Sequence, residues 1–203
     1  MGALLDGKKG SEVCFVLAHG AGTGIESGGF PEIAAALFSE GHSVVRMELP
    51  YRAAGRQAPP KAEKSVAGFR SGLAEAFRLS GSKKLIAGGK SYGGRVASMA
   101  VAEGAAANGL VFLGYPLHRP GVPSDPRVSH WPSIGVPCLF LQGDRDPFCD
   151  LALLEKNLPS IERATLHVIE GGDHSLRLRR KGADSMPLIV DAIRDWLKAE
   201  GMT

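Results

Sequence analysis

Three short polar segments of the chain carry the residue types that activate a hydroxyl group for attack on a carbonyl. Ser91 lies at the centre of GKSYG (89 to 93), two aspartates, Asp144 and Asp146, lie in QGDRD (142 to 146), and His174 ends EGGDH (170 to 174). A serine hydroxyl is a poor nucleophile at neutral pH, so it needs a base, and the base needs an acid that orients it. The chain order serine, acid, histidine therefore predicts attack on an ester-like carbonyl.

The segment around Ser91 has the pattern of a strand, a tight turn and a helix. An apolar run at 84 to 88 precedes it, and a helix-like stretch begins near Arg95. A serine at the apex of such a turn takes a strained backbone conformation, and the flanking glycines let neighbouring chain pass close by. The helix N-terminus behind Ser91 favours developing negative charge. Because the glycine and serine pattern alone is weak, this context carries the prediction of a nucleophile elbow.

Short apolar runs alternate with amphipathic segments along the whole chain. We expect strands at 13 to 18, 43 to 49, 84 to 88, 109 to 114, 137 to 141 and 164 to 169, and helices beginning near positions 30, 66, 92, 150 and 186. This pattern implies a three-layer α/β sandwich: a mostly or wholly parallel sheet of about six strands with helices on both faces. Right-handed crossovers bring the carboxyl ends of the strands to one edge, where Ser91, an aspartate of the 142 to 146 segment and a histidine should meet.

Two further loops lie near that edge. The first strand is followed by His19, Gly20, Ala21 and Gly22. His19 and Gly22 are candidate pocket residues, although we expect His19 to brace this loop more than to contact a substrate. Six prolines between 115 and 137 exclude a long helix there, so we expect an ordered loop with one short helical turn. His118 and His130 belong to this loop and are either pocket residues or ordinary surface residues.

Composition limits the classes of function. With 203 residues, 44% hydrophobic content and a net charge of +3, the chain is typical of one soluble domain spanning residues 1–203. One basic cluster (Arg177, Arg179, Arg180 and Lys181) lacks interleaved aromatic residues and indicates a solvated segment, not a nucleic-acid site. Three cysteines without metal-ligand spacing suit a reducing compartment. We expect a cytoplasmic protein without membrane segment, metal or cofactor, whose oligomeric state stays open.

With these loops in place, the chain resembles the α/β-hydrolase superfamily over nearly its whole length, and particularly its compact, dienelactone-hydrolase-like members. The resemblance implies that Asp146, in preference to Asp144, is the acid and that His174 is the base. It also implies that the backbone N–H groups of Ala21 and Tyr92 form an oxyanion hole. Asp144 stays open as the alternative acid.

The chain departs from that family's pattern in three places. Residues 1 to 12 are too few for two full N-terminal strands, and the proline-rich loop stands where many relatives insert a helical lid. Dienelactone hydrolases proper use a cysteine nucleophile, whereas this elbow carries Ser91, so the small-molecule acyl substrate stays open. An alternative of another class is a hydrolase-shaped binding or scaffold protein without catalysis.

Two nucleotide-binding patterns fail on spacing. A phosphate-binding P-loop needs a glycine where Lys84 stands, and a dinucleotide fingerprint needs one at Ile25.

Overall fold

The structure, a computed structural model, describes residues 3–7, 9–27, 29–178 and 183–203. Within these residues seven strands form one sheet in the order β1-β3-β2-β4-β5-β6-β7. The strands are β1 (Ala3–Asp6), β2 (Val13–Ala18), β3 (Ser43–Met47), β4 (Lys84–Lys90), β5 (Gly109–Leu113), β6 (Cys138–Gly143) and β7 (Ala164–Ile169). The helices are α1 (Phe30–Ser39), α2 (Pro50–Ala53), α3 (Glu63–Ser80), α4 (Tyr92–Ala102), α5 (Leu151–Asn157) and α6 (Met186–Ala199).

The sheet is parallel from β3 to β7 and is covered on both faces. Strands β2, β3, β5 and β6 are buried along their whole length, as continuous apolar runs predict. One apolar cluster packs α3 and α4 against one face, and a second packs α1 and α6 against the other. The expected three-layer α/β sandwich with a mostly parallel sheet is therefore confirmed.

The edge strand β1 corrects the expectation of about six strands and excludes a wholly parallel sheet. Ala3–Asp6 pairs antiparallel with β3, from Ala3 opposite Met47 to Asp6 opposite Val44. An edge strand pairs with only one neighbour, so four residues are enough to form it. Because these residues are partly exposed, the sequence shows no continuous apolar run that would predict a strand. Arg46 fastens it, because its Nε and Nη2 donate to the two carboxylate oxygens of Asp6 at 2.6 and 2.9 Å.

The proline-rich segment between β5 and β6 is an ordered loop with one short helical turn, Trp131–Ser133, as expected. Its anchor is Trp131, which is completely buried and donates from Nε1 to the hydroxyl of Tyr115 at 3.2 Å. That hydroxyl in turn donates to the backbone carbonyl of Arg127 at 3.1 Å. The loop is thus held by packed aromatic side chains at both ends.

Several sequence features have structural outcomes that bear only indirectly on function. No helix in the described part of the chain is long and apolar enough to cross a membrane. Over the same residues, no group of three or more histidine, cysteine or acidic side chains is placed to hold a metal ion. The three cysteines are buried free thiols. Arg179, Arg180 and Lys181 of the basic cluster lie outside the described residues.

Candidate active site

Ser91 occupies the sharp turn between β4 and α4 with φ 49° and ψ −117°, a conformation that L-residues rarely adopt. The chain passes very close to β2 on both sides of this turn. A Cβ on Gly89 would lie 2.2 Å from the carbonyl oxygen of Ala18, and one on Gly93 would lie 2.3 Å from the same atom. Both positions therefore require glycine, and the predicted elbow geometry is present.

Three side chains from three strand ends form a continuous chain of hydrogen bonds. The Ser91 Oγ lies 2.8 Å from Nε2 of His174, and Nδ1 of His174 lies 2.7 Å from Oδ2 of Asp146. A carboxylate can only accept, so Nδ1 carries the proton of the neutral ring and Nε2 accepts from the serine hydroxyl. The structure thus brings together the nucleophile, base and acid proposed from the sequence.

The Asp146 carboxylate accepts hydrogen bonds from two uncharged N–H donors in addition to His174. The side chain of Asp146 is completely buried, and its Oδ2 also accepts from Nε2 of Gln142 at 2.6 Å. Its Oδ1 accepts from the backbone N–H of Phe148 at 2.8 Å. With its acceptors filled by N–H donors, the carboxylate is oriented toward His174.

Gln142 was not identified from the sequence, although a signal was present. It is the polar residue within the buried strand β6, and its Oε1 accepts from the backbone N–H of Tyr115 at 2.8 Å. A fully buried amide needs partners on both ends of its side chain. Gln142 therefore connects the acid to the start of the proline-rich loop.

The alternative acid, Asp144, has a different position. Its Oδ1 accepts from the backbone N–H of Gly171 at 2.7 Å and so ties the loop after β6 to the loop after β7. This bond holds the histidine loop in place, while Asp146 contacts His174 directly. The structure accordingly places Asp146, and not Asp144, in the hydrogen-bonded chain.

The loop that carries His174 is shaped by its own aspartate and by close packing. Oδ1 of Asp173 accepts from the backbone N–H groups of Ser175 and Arg177 at 2.7 and 3.0 Å. The ring of Phe148 lies against the imidazole with a centroid separation of 4.4 Å. These contacts limit the rotation of His174, so that its Nε2 stays directed at Ser91.

The loop after β2 approaches Ser91 from the other side. A Cβ on Gly20 would lie 3.8 Å from the Cβ of Ser91, and the next residue, Ala21, lines the same cavity as Ser91 and Tyr92. His19 is completely buried; its Nε2 accepts from the backbone N–H of Leu49 at 3.1 Å, and Nδ1 donates to the carbonyl of Gly20 at 2.8 Å. Burial lowers the pKa of His19, and the neutral ring braces the loop, as expected.

A cavity of about 700 Å³ opens above Ser91. Its lining comes from the loop after β2, the segment that leads into α3, the elbow, the proline-rich loop and the loop after β6: Ala21, Pro59, Pro60, Lys61, Ala62, Glu63, Ser91, Tyr92, Arg95, Pro116, Arg119, Asp125, Pro126, Arg127, Ser129 and Phe148. The four candidate pocket residues His19, Gly22, His118 and His130 lie outside this lining. Gly22 is exposed beside Ala21 with φ 69°.

His118 and His130 have packing partners instead of a place on the cavity wall. In His118, Nδ1 donates to the carbonyl of Arg119 at 2.8 Å and Nε2 accepts from the N–H of Asp150 at 2.9 Å. In His130, Nε2 lies 2.7 Å from the hydroxyl of Ser98, and burial, helped by Arg95, lowers its pKa to about 4. The sequence placed His118 and His130 in the proline-rich loop, but it did not indicate that both rings face the protein interior and not the cavity.

The family of the chain is shown by its sequence. The model of the α/β hydrolase domain family matches residues 11–198, and the chain therefore belongs to this family. The resemblance stated from the residues is confirmed.

Solved structures extend the likeness to the whole fold. Est1E from Butyrivibrio proteoclasticus, solved with ferulic acid bound, is 15% identical with a TM-score of 0.77, covering 100% of this chain and 96% of that one. A dienelactone hydrolase from Anabaena variabilis is 19% identical with a TM-score of 0.75, covering 97% and 90%. A lidless α/β serine hydrolase from Xanthomonas campestris is 20% identical with a TM-score of 0.73, covering 96% and 88%. At these identities the likeness is one of fold.

Proposed function

We propose that the protein is a serine hydrolase that cleaves a small ester-like bond, a carboxylic ester or thioester, through an acyl-enzyme intermediate. The observation that carries the proposal is the hydrogen-bonded chain from Ser91 through His174 to Asp146. Each member follows a different strand, and each is fixed by separate contacts. A protein that only binds a ligand has no need for this arrangement at the floor of a cavity.

The geometry supports a sequence of proton and acyl transfers. Ser91 Oγ attacks the carbonyl carbon while Nε2 of His174 takes the hydroxyl proton, and Asp146 stabilises the resulting imidazolium. The protonated His174 then gives its proton to the departing alcohol or thiol. A water molecule, deprotonated by the same nitrogen, then attacks the acyl-enzyme. The protonated His174 gives this proton to the Ser91 oxygen as the carboxylic acid product leaves.

Two backbone N–H groups are proposed to bind the oxyanion of the tetrahedral intermediates. Tyr92 is the first residue of α4, so its N–H has no acceptor within the helix. Ala21 lies in the loop after β2, which His19 braces beside Ser91. In comparable enzymes one such donor contributes about 3–4 kcal/mol of transition-state stabilisation. Both contributions come from the backbone and depend on loop geometry, not on side-chain identity.

The family and the neighbouring folds support the same reaction class. The neighbours include a dienelactone hydrolase and a serine hydrolase without a lid, and Est1E was solved with ferulic acid, a carboxylic acid, bound. The proline-rich loop leaves the cavity open to solvent without a helical cover. A small or exposed acyl substrate fits such a site better than a long lipid chain.

The test is covalent labelling with a fluorophosphonate, read by mass spectrometry of the intact protein and its peptides. We expect stoichiometric modification of Ser91, loss of labelling in Ser91→Ala, and retained labelling in the matched control Ser129→Ala, an exposed serine on the same cavity wall. Asp146→Asn should label much more slowly, because the amide can donate to Nδ1 and so favour the wrong ring tautomer, and because it carries no charge to stabilise the imidazolium. A folded wild-type protein that never labels would favour the non-catalytic binding protein instead.

A further inference from the structure

The wall of the Ser91 cavity carries an excess of positive charge. Four basic side chains (Lys61, Arg95, Arg119 and Arg127) and two acidic ones (Glu63 and Asp125) are among its lining residues, which leaves two positive charges (4 − 2) uncompensated. Small acyl substrates without charge gain nothing from such a wall, because cations that are not matched by a ligand only add a desolvation cost.

Ion pairing assigns the excess to particular residues. Nη2 of Arg95 lies 3.2 Å from the carboxylate of Glu63, and Nη2 of Arg119 lies 3.5 Å from that of Asp125. Across the described residues, no carboxylate lies within ion-pair distance of Arg127 or of the exposed Lys61, so these two side chains carry the excess. Arg127 is also half-buried, so its charge is screened less by water than that of an arginine on an open surface.

The backbone of Arg127 is held firmly, while its guanidinium keeps donors to spare. Its N–H donates to the carbonyl of Leu117 at 2.7 Å, and its carbonyl accepts from the hydroxyl of Tyr115. Of the five N–H donors of the guanidinium, one on Nη1 reaches the carbonyl of Pro116 at 3.3 Å. Burial, followed by the neighbouring positive charge of Arg95, lowers the pKa of Arg127.

Arg95 lines the same cavity as Ser91. It lies one helical turn after Ser91 on α4, and its backbone N–H donates to the carbonyl of Ser91 at 3.1 Å. Its Nε is buried, and within the described part of the chain that atom has no hydrogen-bond partner. A buried donor without an acceptor is unfavourable unless a ligand completes it.

We propose that the substrate of the Ser91 site carries an anionic group, a carboxylate or a phosphate, which Arg127 and Arg95 bind while Ser91 attacks the ester-like carbonyl of the same molecule. The inference rests on the proposed hydrolase function and narrows its substrate class. A guanidinium binds a planar carboxylate or a phosphate through paired hydrogen bonds, which gives orientation as well as affinity.

Matched esters test the proposal. On the acyl side, p-nitrophenyl hemiglutarate is compared with p-nitrophenyl pentanoate; on the alcohol side, 4-acetoxybenzoate and 4-acetoxyphenyl phosphate are compared with methyl 4-acetoxybenzoate. We expect the anionic member to be preferred by tenfold or more in kcat/KM on at least one side, as one charge-assisted hydrogen bond gives about this factor. The two alcohol-side anions distinguish carboxylate from phosphate.

Variants connect the preference to the arginines. Arg127→Gln should reduce the ratio of anionic to neutral kcat/KM about tenfold, Arg127→Lys less, and Arg127→Glu should reverse the preference. The control Arg70→Gln removes an exposed charge from α3, outside the cavity lining, and should leave the ratio unchanged. Because the wild-type ratio should also fall when NaCl is raised from about 0.05 to 0.5 M, one arm of the test needs no substitution.

The outcomes separate this inference from the proposed function. Equal kcat/KM for anionic and neutral esters in a protein whose Ser91 labels with fluorophosphonate would overturn the anionic substrate and leave the hydrolase intact. A preference that survives in both Arg127→Gln and Arg95→Gln would overturn the assigned site. Failure of Ser91 to label would reject the hydrolase itself, and the anionic substrate with it.

Discussion

Removing the side chain of Ser91 in two ways should reveal the backbone strain at the elbow. Ser91→Ala and Ser91→Gly both lose the hydroxyl and its hydrogen bond to His174, so those losses cancel in a comparison. Only glycine adopts φ 49° and ψ −117° without a steric conflict at Cβ. Against the usual order, in which alanine is the more stabilising residue, we expect Ser91→Gly to be the more stable of the two.

The magnitude follows from three contributions. A non-glycine residue held in such a conformation costs about 2 kcal/mol, within the usual 1–3. Against this, the greater entropy of the unfolded chain destabilises the glycine variant by about 0.7 kcal/mol relative to the alanine variant. The glycine variant also lacks the half-buried methyl group of alanine, which destabilises it by about 0.4 kcal/mol more. The remaining advantage of glycine is about 1 kcal/mol, equivalent to about 2–4 °C in Tm for a protein of this size.

The assay is urea unfolding of both variants, followed by circular dichroism and intrinsic fluorescence, with thermal scans as a second measure. The matched control is Ser71, which is exposed in the middle of α3. There glycine should be less stable than alanine by about 1 kcal/mol. If Ser91→Gly is no more stable than Ser91→Ala while the Ser71 pair behaves normally, the elbow stores no strain and the reasoning is refuted.

Three further outcomes are expected. Gly93→Ala should abolish labelling of Ser91, because its Cβ would meet the carbonyl oxygen of Ala18 at 2.3 Å, whereas Gly135→Ala meets nothing within 4 Å and should label normally. The pKa of His130 falls to about 4 in the folded state, so the unfolded chain binds more protons than the folded one between that pH and about 6.5. The free energy of unfolding should therefore decline as the pH falls through this range, and it should decline less steeply in His130→Gln. Burial raises the pKa of Cys14 to about 11, so this thiol should resist a thiol reagent at pH 8 until the protein is denatured. Rapid labelling of Cys14 in the native protein would contradict this expectation.

The parts of the site that the sequence predicted correctly are those fixed by local chain geometry. Ser91 lies between a strand and a helix, and glycines at 89 and 93 are needed by the backbone itself, so their pattern is visible in the pentapeptide. Asp146 and His174 each follow an apolar run. Since parallel strands end at a common edge, topology predicted that an aspartate after β6 and a histidine after β7 would approach Ser91, whereas the preference for Asp146 over Asp144 came from the family resemblance.

The parts that could not be predicted depend on contacts between distant side chains. The inward rotation of His118 is set by the N–H of Asp150, and nothing near His118 in the chain indicates this partner. The positive wall formed by Arg95 and Arg127 likewise arises from the packing of α4 against the proline-rich loop. Strand β1 was missed because its pairing, not its own burial, makes it a strand.

The two residues at the tip of the elbow are joined to two consecutive residues of the histidine loop. Ser91 contacts His174, and the Nζ of Lys90 donates to the hydroxyl of the adjacent Ser175 at 3.0 Å. Any bond formed to the Ser91 oxygen breaks the first of these links and leaves the second in place. The hydrogen bond between Lys90 and Ser175 would then hold the histidine loop against the elbow while the bond between Ser91 and His174 is broken. The imidazole of His174 would therefore stay close to Ser91 throughout a turnover.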